Sequence, residues 1–262
     1  MTPIRFSALP PCRTILPVSI GRDTMIRAVL FDLDETLIDK TATVLTFLPL
    51  QYQRFRLGEH GVDEQRYIAE FLQLEKAGLV RKRDLYPRLV ETFGLPGDLA
   101  AALFHDFETV YPGMAVPISG ARQTISALKQ YGVLVGVVSN GEGNVQRPKI
   151  AAAGLNEGLD LVVISGDIGL RKPAREIFEL AAGRLHLPVD SCLFVGDNPE
   201  ADIVGAENAG MHAVYFGPKN AWPASLPSPR YQIELLPQLI ALVRDLNALT
   251  EGLMATKRPR LR

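Results

Sequence analysis

The chain has 262 residues, 47% of them hydrophobic, with a formal net charge of −1. That length suits one large domain or two smaller ones, and its two cysteines, Cys12 and Cys192, exclude a disulfide framework or a zinc-ligand spacing. The charge divides into basic ends and an acidic body, which argues against a nucleic-acid ligand, and no apolar run approaches the length of a membrane span.

Residues 1–24 contain Pro3, Pro10, Pro11 and Pro17 and show no period. They are expected to be a disordered extension ahead of Met25, a transit peptide being the alternative. With so few cysteines, the reading is a soluble, cytoplasmic protein. The stretch RAVLFDLDETLIDK, residues 27–40, follows. Ala28 to Phe31 have the composition of a buried strand, and Asp32 and Asp34 stand directly after them. Alternate residues of an extended chain point the same way, so both carboxylates project from the carboxyl end of that strand. Either they are turn residues capping a helix that starts near Thr36, or they are paired for chemistry.

From about Ile38 to Val116 the pattern becomes helical, in DEQRYIAEFLQLEKAG, KRDLYPRLVETFG and GDLAAALFHDFETVY. This reads as a helical insertion with crossings near Asp39 and Pro117. Its cations, Arg54, Arg56, Arg81, Lys82, Arg83 and Arg88, read as a solvated face, with residues 81–83 the best placed to meet a ligand. Strand-like runs then resume in VLVGVVSNG (133–141), LDLVVISGD (159–167), CLFVGDN (192–198) and HAVYFGP (212–218). Between them, one helix is expected from a Ser119 cap to Gly132 and another from Pro199 to Gly210. Pro148 should delay or kink the helix after residue 141. The four histidines have no partners at metal-ligand spacing and receive no role. KRPRLR closes a basic tail over residues 251–262.

Strands alternating with helices indicate a doubly wound parallel α/β sheet. Ligands bind beyond the carboxyl ends of such strands, where Asp32, Asp34, Ser139, Asn140, Asp197 and Asn198 collect. The ordered motifs Asp32-Leu33-Asp34-Glu35-Thr36, Ser139-Asn140-Gly141, Lys172-Pro173 and Gly196-Asp197 with Asp202 carry a resemblance. Over about residues 26–247 the chain resembles the haloacid dehalogenase superfamily, in its phosphatase branch with a helical (C1-type) cap inserted after the first strand. Glu35 stands where many members have glycine.

The resemblance implies a Rossmann-like catalytic core over residues 25–38 and 117–250 and a helical cap over 39–116. It implies catalytic roles for three residues: Asp32 as the nucleophile that becomes an aspartyl-phosphate, Asp34 as general acid and base, and Lys172 as counter-charge. It places Ser139, Asn140, Gly141 and Thr36 around the substrate phosphate. Magnesium (Mg²⁺) would be held by Asp32, Asp197 and the backbone carbonyl of Asp34, with Asp202 and Asn198 supporting from behind. The implied function is a Mg²⁺-dependent phosphatase acting on a small phosphorylated metabolite, with neither nucleic acid nor membrane as partner. Alternatives are a sugar-phosphate mutase, a dehalogenase, against which Asp34 argues, and a noncatalytic binding protein. Phosphoglycolate, sugar phosphates and nucleoside monophosphates all suit the sequence, as do monomer and dimer.

Overall fold

Strand β1, Ala28–Phe31, is buried along its whole length, because its alternate side chains enter two different cores. Val29 and Phe31 pack on one face of the sheet, Ala28 and Leu30 on the other. The computed structural model describes residues 24–75 and 80–257. The expected extension before Met25 lies outside these residues, Thr24 apart, and so do residues 258–262 of the expected basic tail.

After β1 come the short strand β2 (Ile38–Asp39), helices α1 (Lys40–Arg54), α2 (Glu64–Glu75), α3 (Lys82–Thr92) and α4 (Leu99–Val110), and strand β3 (Val116–Pro117). β2 and β3 pair antiparallel, Ile38 opposite Pro117, so the chain leaves the sheet and returns to it at one place. Asp39 caps α1 by accepting from the Ala42 amide at 2.7 Å. The helix expected near Thr36 therefore begins at Lys40, and neither Asp32 nor Asp34 is its cap. The four helices enclose their own core, which includes Phe47, Tyr67, Phe71, Tyr86 and Leu103. At its centre the buried Gln51 accepts from the Tyr67 and Tyr86 hydroxyls at 2.9 and 3.0 Å and donates to the Leu103 carbonyl at 2.9 Å. Both ends of the amide are satisfied, as burial demands.

The chain continues through α5 (Ala121–Gln130), β4 (Leu134–Ser139), α6 (Gly143–Ala152), β5 (Leu161–Ile164), α7 (Ser165–Ile168) and α8 (Arg175–Arg184). It ends with β6 (Cys192–Gly196), a π-helical turn (Pro199–Val204), α9 (Gly205–Ala209), β7 (His212–Phe216), β8 (Tyr231–Ile233) and α10 (Gln238–Lys257). Six strands form a parallel sheet in the order β5-β4-β1-β6-β7-β8. The order runs outward from β1 first one way and then the other, so the direction switches between β1 and β6. A crevice at the carboxyl ends is expected at such a switch. Residues of α5, α6 and α10 cover one face, those of α8 and α9 the other.

Local details depart from the sequence reading. α5 follows Gly120, which takes a left-handed φ of 84°, and Ser119 makes no cap. Strand β8 is three residues at the sheet edge, too short to register as an apolar run. α6 passes through Pro148 from a start at Gly143. α10 runs on to Lys257, into the expected tail, and its Asn247 brackets Ile26 with bonds of 2.7 and 3.1 Å to the backbone amide and carbonyl. Among the described residues, no helix is long and apolar enough to cross a membrane.

Candidate active site

Asp32 follows β1 directly, and its amide donates to the Val195 carbonyl of β6 at 2.9 Å, which fixes it at the switch point of the sheet. The chain then turns sharply: the Leu37 and Ile38 amides both donate to the Leu33 carbonyl at 2.9 Å. Glu35 takes φ 61° in this turn, a left-handed conformation that glycine adopts without steric cost.

The Asp32 carboxylate meets Lys172, whose Nζ lies 2.5 Å from Asp32 Oδ1 and 2.7 Å from Asp202 Oδ1. Lys172 is only 3% exposed. Its backbone is held by Asn140 at the end of β4: the Lys172 amide donates to Asn140 Oδ1 at 2.9 Å, and Asn140 Nδ2 donates to the Lys172 carbonyl at 3.0 Å. Asp202 sits on the π-helical turn, and its Oδ2 accepts from the Asn198 amide at 3.0 Å. Asn198 in turn caps that turn, its Oδ1 accepting from the amides of Glu200 and Ala201. The carboxyl of Asp202 lies so close to Gly196 that a Cβ there would come within 2.3 Å of it. Glycine before Asp197 is thus a requirement of packing.

Burial drives the Asp32 carboxyl up to about 7 against the pull of Lys172, and Asp202 and Asp197 add to the rise. Asp197 is pushed up to about 6 by burial and by Asp202. Burial disfavours the Lys172 ammonium, yet Asp32 and Asp202 outweigh it and hold its pKa above the ordinary lysine value. Asp32, Asp197 and Asp202 each offer an oxygen within 4.8 Å of the others. One ammonium cannot balance three carboxylates, and an all-oxygen donor set of this kind suits a hard divalent cation.

Asp34 has other partners. Lys149 Nζ lies 2.8 and 3.0 Å from its two oxygens, and Gln146 Nε2 donates to Oδ2 at 3.0 Å and to Ser139 Oγ at 2.8 Å. Burial would raise the Asp34 pKa, but the Lys149 charge and the Gln146 bond outweigh it and lower it. Two aspartates two positions apart therefore belong to separate polar networks.

The structure gathers Asp32, Lys172 and Asp202 into one network with Asp197 beside it, links Asp34 to Ser139 through Gln146, and assigns Asn140 to the Lys172 backbone. Two residues expected around the phosphate have protein partners here. The Gly141 amide is taken by Ser165 Oγ at 2.9 Å, and because α6 starts at Gly143, residues 140 and 141 are not its opening turn. Thr36 is fully buried, with its hydroxyl 3.4 Å from Asp197 Oδ1, so it faces the carboxylate. Of residues 81–83, Lys82 turns inward to pair with Glu75 over the Phe71 and Phe107 rings, while Arg81 and Arg83 stay exposed.

Lys149, Gln146 and Ser165 are absent from the sequence reading. A signal for the first two exists: positions 146, 149, 150 and 153 share one helix face, and Ile150 and Ala153 bury that face. Polar residues on an apolar stripe ask for a buried partner.

Residues 26–210 match the profile of the haloacid dehalogenase-like hydrolases. The chain is 29% identical over 223 residues to ribulose-1,5-bisphosphate 5-phosphatase of Halopiger xanaduensis, covering 80% of this chain and 92% of that one. It is 30% identical over 234 residues to glyceraldehyde 3-phosphate phosphatase of Methanopyrus kandleri, covering 85% and 99%. Among solved structures, the magnesium-bound putative hydrolase YfnB of Bacillus subtilis superposes with a TM-score of 0.65 at 24% identity, over 84% of this chain and 99% of that one; at that identity the likeness concerns the fold. With its motifs set at the switch point of a parallel sheet, the chain belongs to the haloacid dehalogenase-like hydrolases, in their phosphatase branch.

Proposed function

We propose that the protein is a Mg²⁺-dependent phosphatase that hydrolyses a small phosphate monoester through an aspartyl-phosphate on Asp32. One observation carries this reading: Asp32 sits among Lys172, Asp197 and Asp202, while Asp34 is held in a network of its own. A nucleophile and a proton-transfer group need that separation. Asp32 attacks phosphorus in line, its oxygen forming the new P–O bond while the ester P–O bond breaks. The departing oxygen takes a proton from Asp34, which picks that proton up in the substrate complex, because the Lys149 charge keeps the resting carboxyl ionised. A water then attacks the aspartyl-phosphate, gives its proton to Asp34, and leaves Asp32 free with inorganic phosphate as product.

Lys172 offsets the charge gathered on the nucleophile and the phosphoryl oxygens, and Ser139 offers its hydroxyl to them. Asp32, Asp197 and the Asp34 carbonyl would hold Mg²⁺, which when bound supplies further positive charge against the phosphoryl group. Asp202 keeps Lys172 aimed at Asp32. Helices α1–α4, entered and left through the β2–β3 pair, form the cap that covers the substrate. The relatives named for ribulose bisphosphate and glyceraldehyde 3-phosphate support a small phosphorylated sugar or a similar metabolite as substrate.

The test is phosphate release from a panel of sugar phosphates, phosphoglycolate, phosphoserine and nucleoside monophosphates, with and without Mg²⁺. Metal-dependent release from at least one ester is expected. Silence across the panel, or halide release from 2-haloacids instead, would overturn the reading.

A further inference from the structure

A carboxylate is as good a ligand for a hard cation as any other, so nothing in its chemistry keeps the Asp34 side chain off the metal that its neighbour Asp32 would hold. The surroundings of Asp34 supply the restraint. Lys149, only 5% exposed, grips both carboxylate oxygens, at 2.8 and 3.0 Å. Gln146, 2% exposed, donates to Asp34 Oδ2 and to Ser139 Oγ from the same nitrogen. Both stand on α6, one turn apart and on one face.

We propose that Lys149 and Gln146 are positioning residues that clamp the Asp34 carboxylate, keeping it clear of the metal-binding oxygens and at fixed reach from Ser139. This rests on Asp34 being the proton-transfer group. A buried ammonium is costly unless it is paired, and the pairing here is with both oxygens of one carboxylate, which fixes its rotation as well as its place. The amide of Gln146 sets the separation between Asp34 and Ser139, and Gly141 leaves room for it: a Cβ at residue 141 would lie 3.0 to 3.1 Å from three atoms of the Gln146 side chain. Lys149 is backed by Tyr111, its Nζ 5.8 Å from that ring centroid, on the turn that leads from α4 into β3. The ring limits where the ammonium can move.

The test compares Lys149→Met, Lys149→Arg, Gln146→Leu, Asp34→Asn and the double variant Asp34→Asn/Lys149→Met, on an alkyl phosphate ester accepted by the parent and on 4-nitrophenyl phosphate. Lys149→Met should lower kcat on the alkyl ester on the order of 10²-fold with KM within about threefold, the signature of an interaction needed in proton transfer. With 4-nitrophenyl phosphate, whose leaving group needs no proton, it should still give a rapid burst of nitrophenolate followed by slow turnover. Lys149→Arg should recover most of the rate, and Gln146→Leu should show the burst pattern more weakly. In the Asp34→Asn background, Lys149→Met should cost no more than about twofold, because the clamp has lost what it holds.

Near-parental kcat in Lys149→Met, alongside collapse in Asp34→Asn, overturns the clamp and leaves the role of Asp34 standing. An equal loss from Lys149→Met in both backgrounds also overturns it. Full turnover by Asp34→Asn removes the reading beneath it, and the clamp falls with that. If Lys149→Met fails to fold, the arginine variant and the double variant, which removes both charges, decide the matter in the same assays.

Discussion

The ammonium of Lys172 stands 2.5 Å from the carboxylate of Asp32, and both side chains are buried. The same ammonium holds Asp202 at 2.7 Å, so removing it leaves two buried carboxylates facing each other without a counter-charge. Lys172→Met should therefore lower turnover on the order of 10²-fold or more. It should also weaken the fold by roughly 3 to 5 kcal/mol, the usual result of breaking a buried ion pair. Stopped-time assays and urea melts measure the two effects. Turnover near that of the parent would place Lys172 outside the chemistry.

The crowding of carboxylates has a pH signature. Asp32 and Asp197 are raised to about 7 and about 6, chiefly by burial. An acid whose folded pKa lies above its unfolded value binds its proton more tightly in the folded state, so its contribution to stability is full at low pH and declines as pH rises through the folded pKa. A cation held by those oxygens must displace the protons first. Mg²⁺ should therefore raise the melting temperature far more at about pH 7.5, where the protons have left, than at about pH 5.5. Thermal melts with Mg²⁺ or with a chelator, at both pH values, make the comparison. A shift that is equal at both, or larger at the lower pH, would mean that these carboxylates do not bind the ion.

Gln51 gives a prediction away from the chemistry. It is fully buried and joins the hydroxyls of Tyr67 and Tyr86 to the Leu103 carbonyl. Gln51→Leu keeps the volume but strands those polar groups, each worth roughly 1 to 3 kcal/mol when left unpaired. A clear drop in the urea midpoint should follow. An unchanged midpoint would show that the helices repack around the loss.

What could be read in the sequence follows from how local each signal is. β1 and β6 are short apolar runs whose last residues carry the site, so their period and their ends appear together in AVLFDLD and CLFVGDN. The partners of Asp34 lie 112 and 115 positions away, and the period of α6 shows only that its inner face is buried, not what that face meets. The Gly141 amide escapes for a similar reason: its partner Ser165 arrives from the end of another strand, β5. Thr36 reads as a phosphate contact by resemblance; its contact with Asp197, 161 positions away, is set by the turn that closes on the Leu33 carbonyl and buries its side chain. β8 is legible only as an edge, where three residues pair with β7 between a proline-rich loop and α10.

The separation of Asp32 from Asp34 makes the most demanding prediction. Asn at position 32 cannot form an acyl-phosphate, so Asp32→Asn should lose turnover and phosphoenzyme together. Its fold should persist, because Lys172 keeps Asp202 as partner. Asn at position 34 leaves the backbone carbonyl in place and removes only the proton-transfer group, which should cost roughly 10²- to 10⁴-fold on ordinary esters. An activated aryl phosphate needs little help with its leaving group and should still phosphorylate Asp34→Asn. With no base to draw a proton from water, the aspartyl-phosphate should then accumulate. Rapid acid quench, proteolysis and mass spectrometry should find the phosphoryl group on the peptide that contains Asp32. A phosphoryl group on any other residue, or steady turnover by Asp32→Asn, would show that the two carboxylates at the end of β1 do not divide the reaction between them.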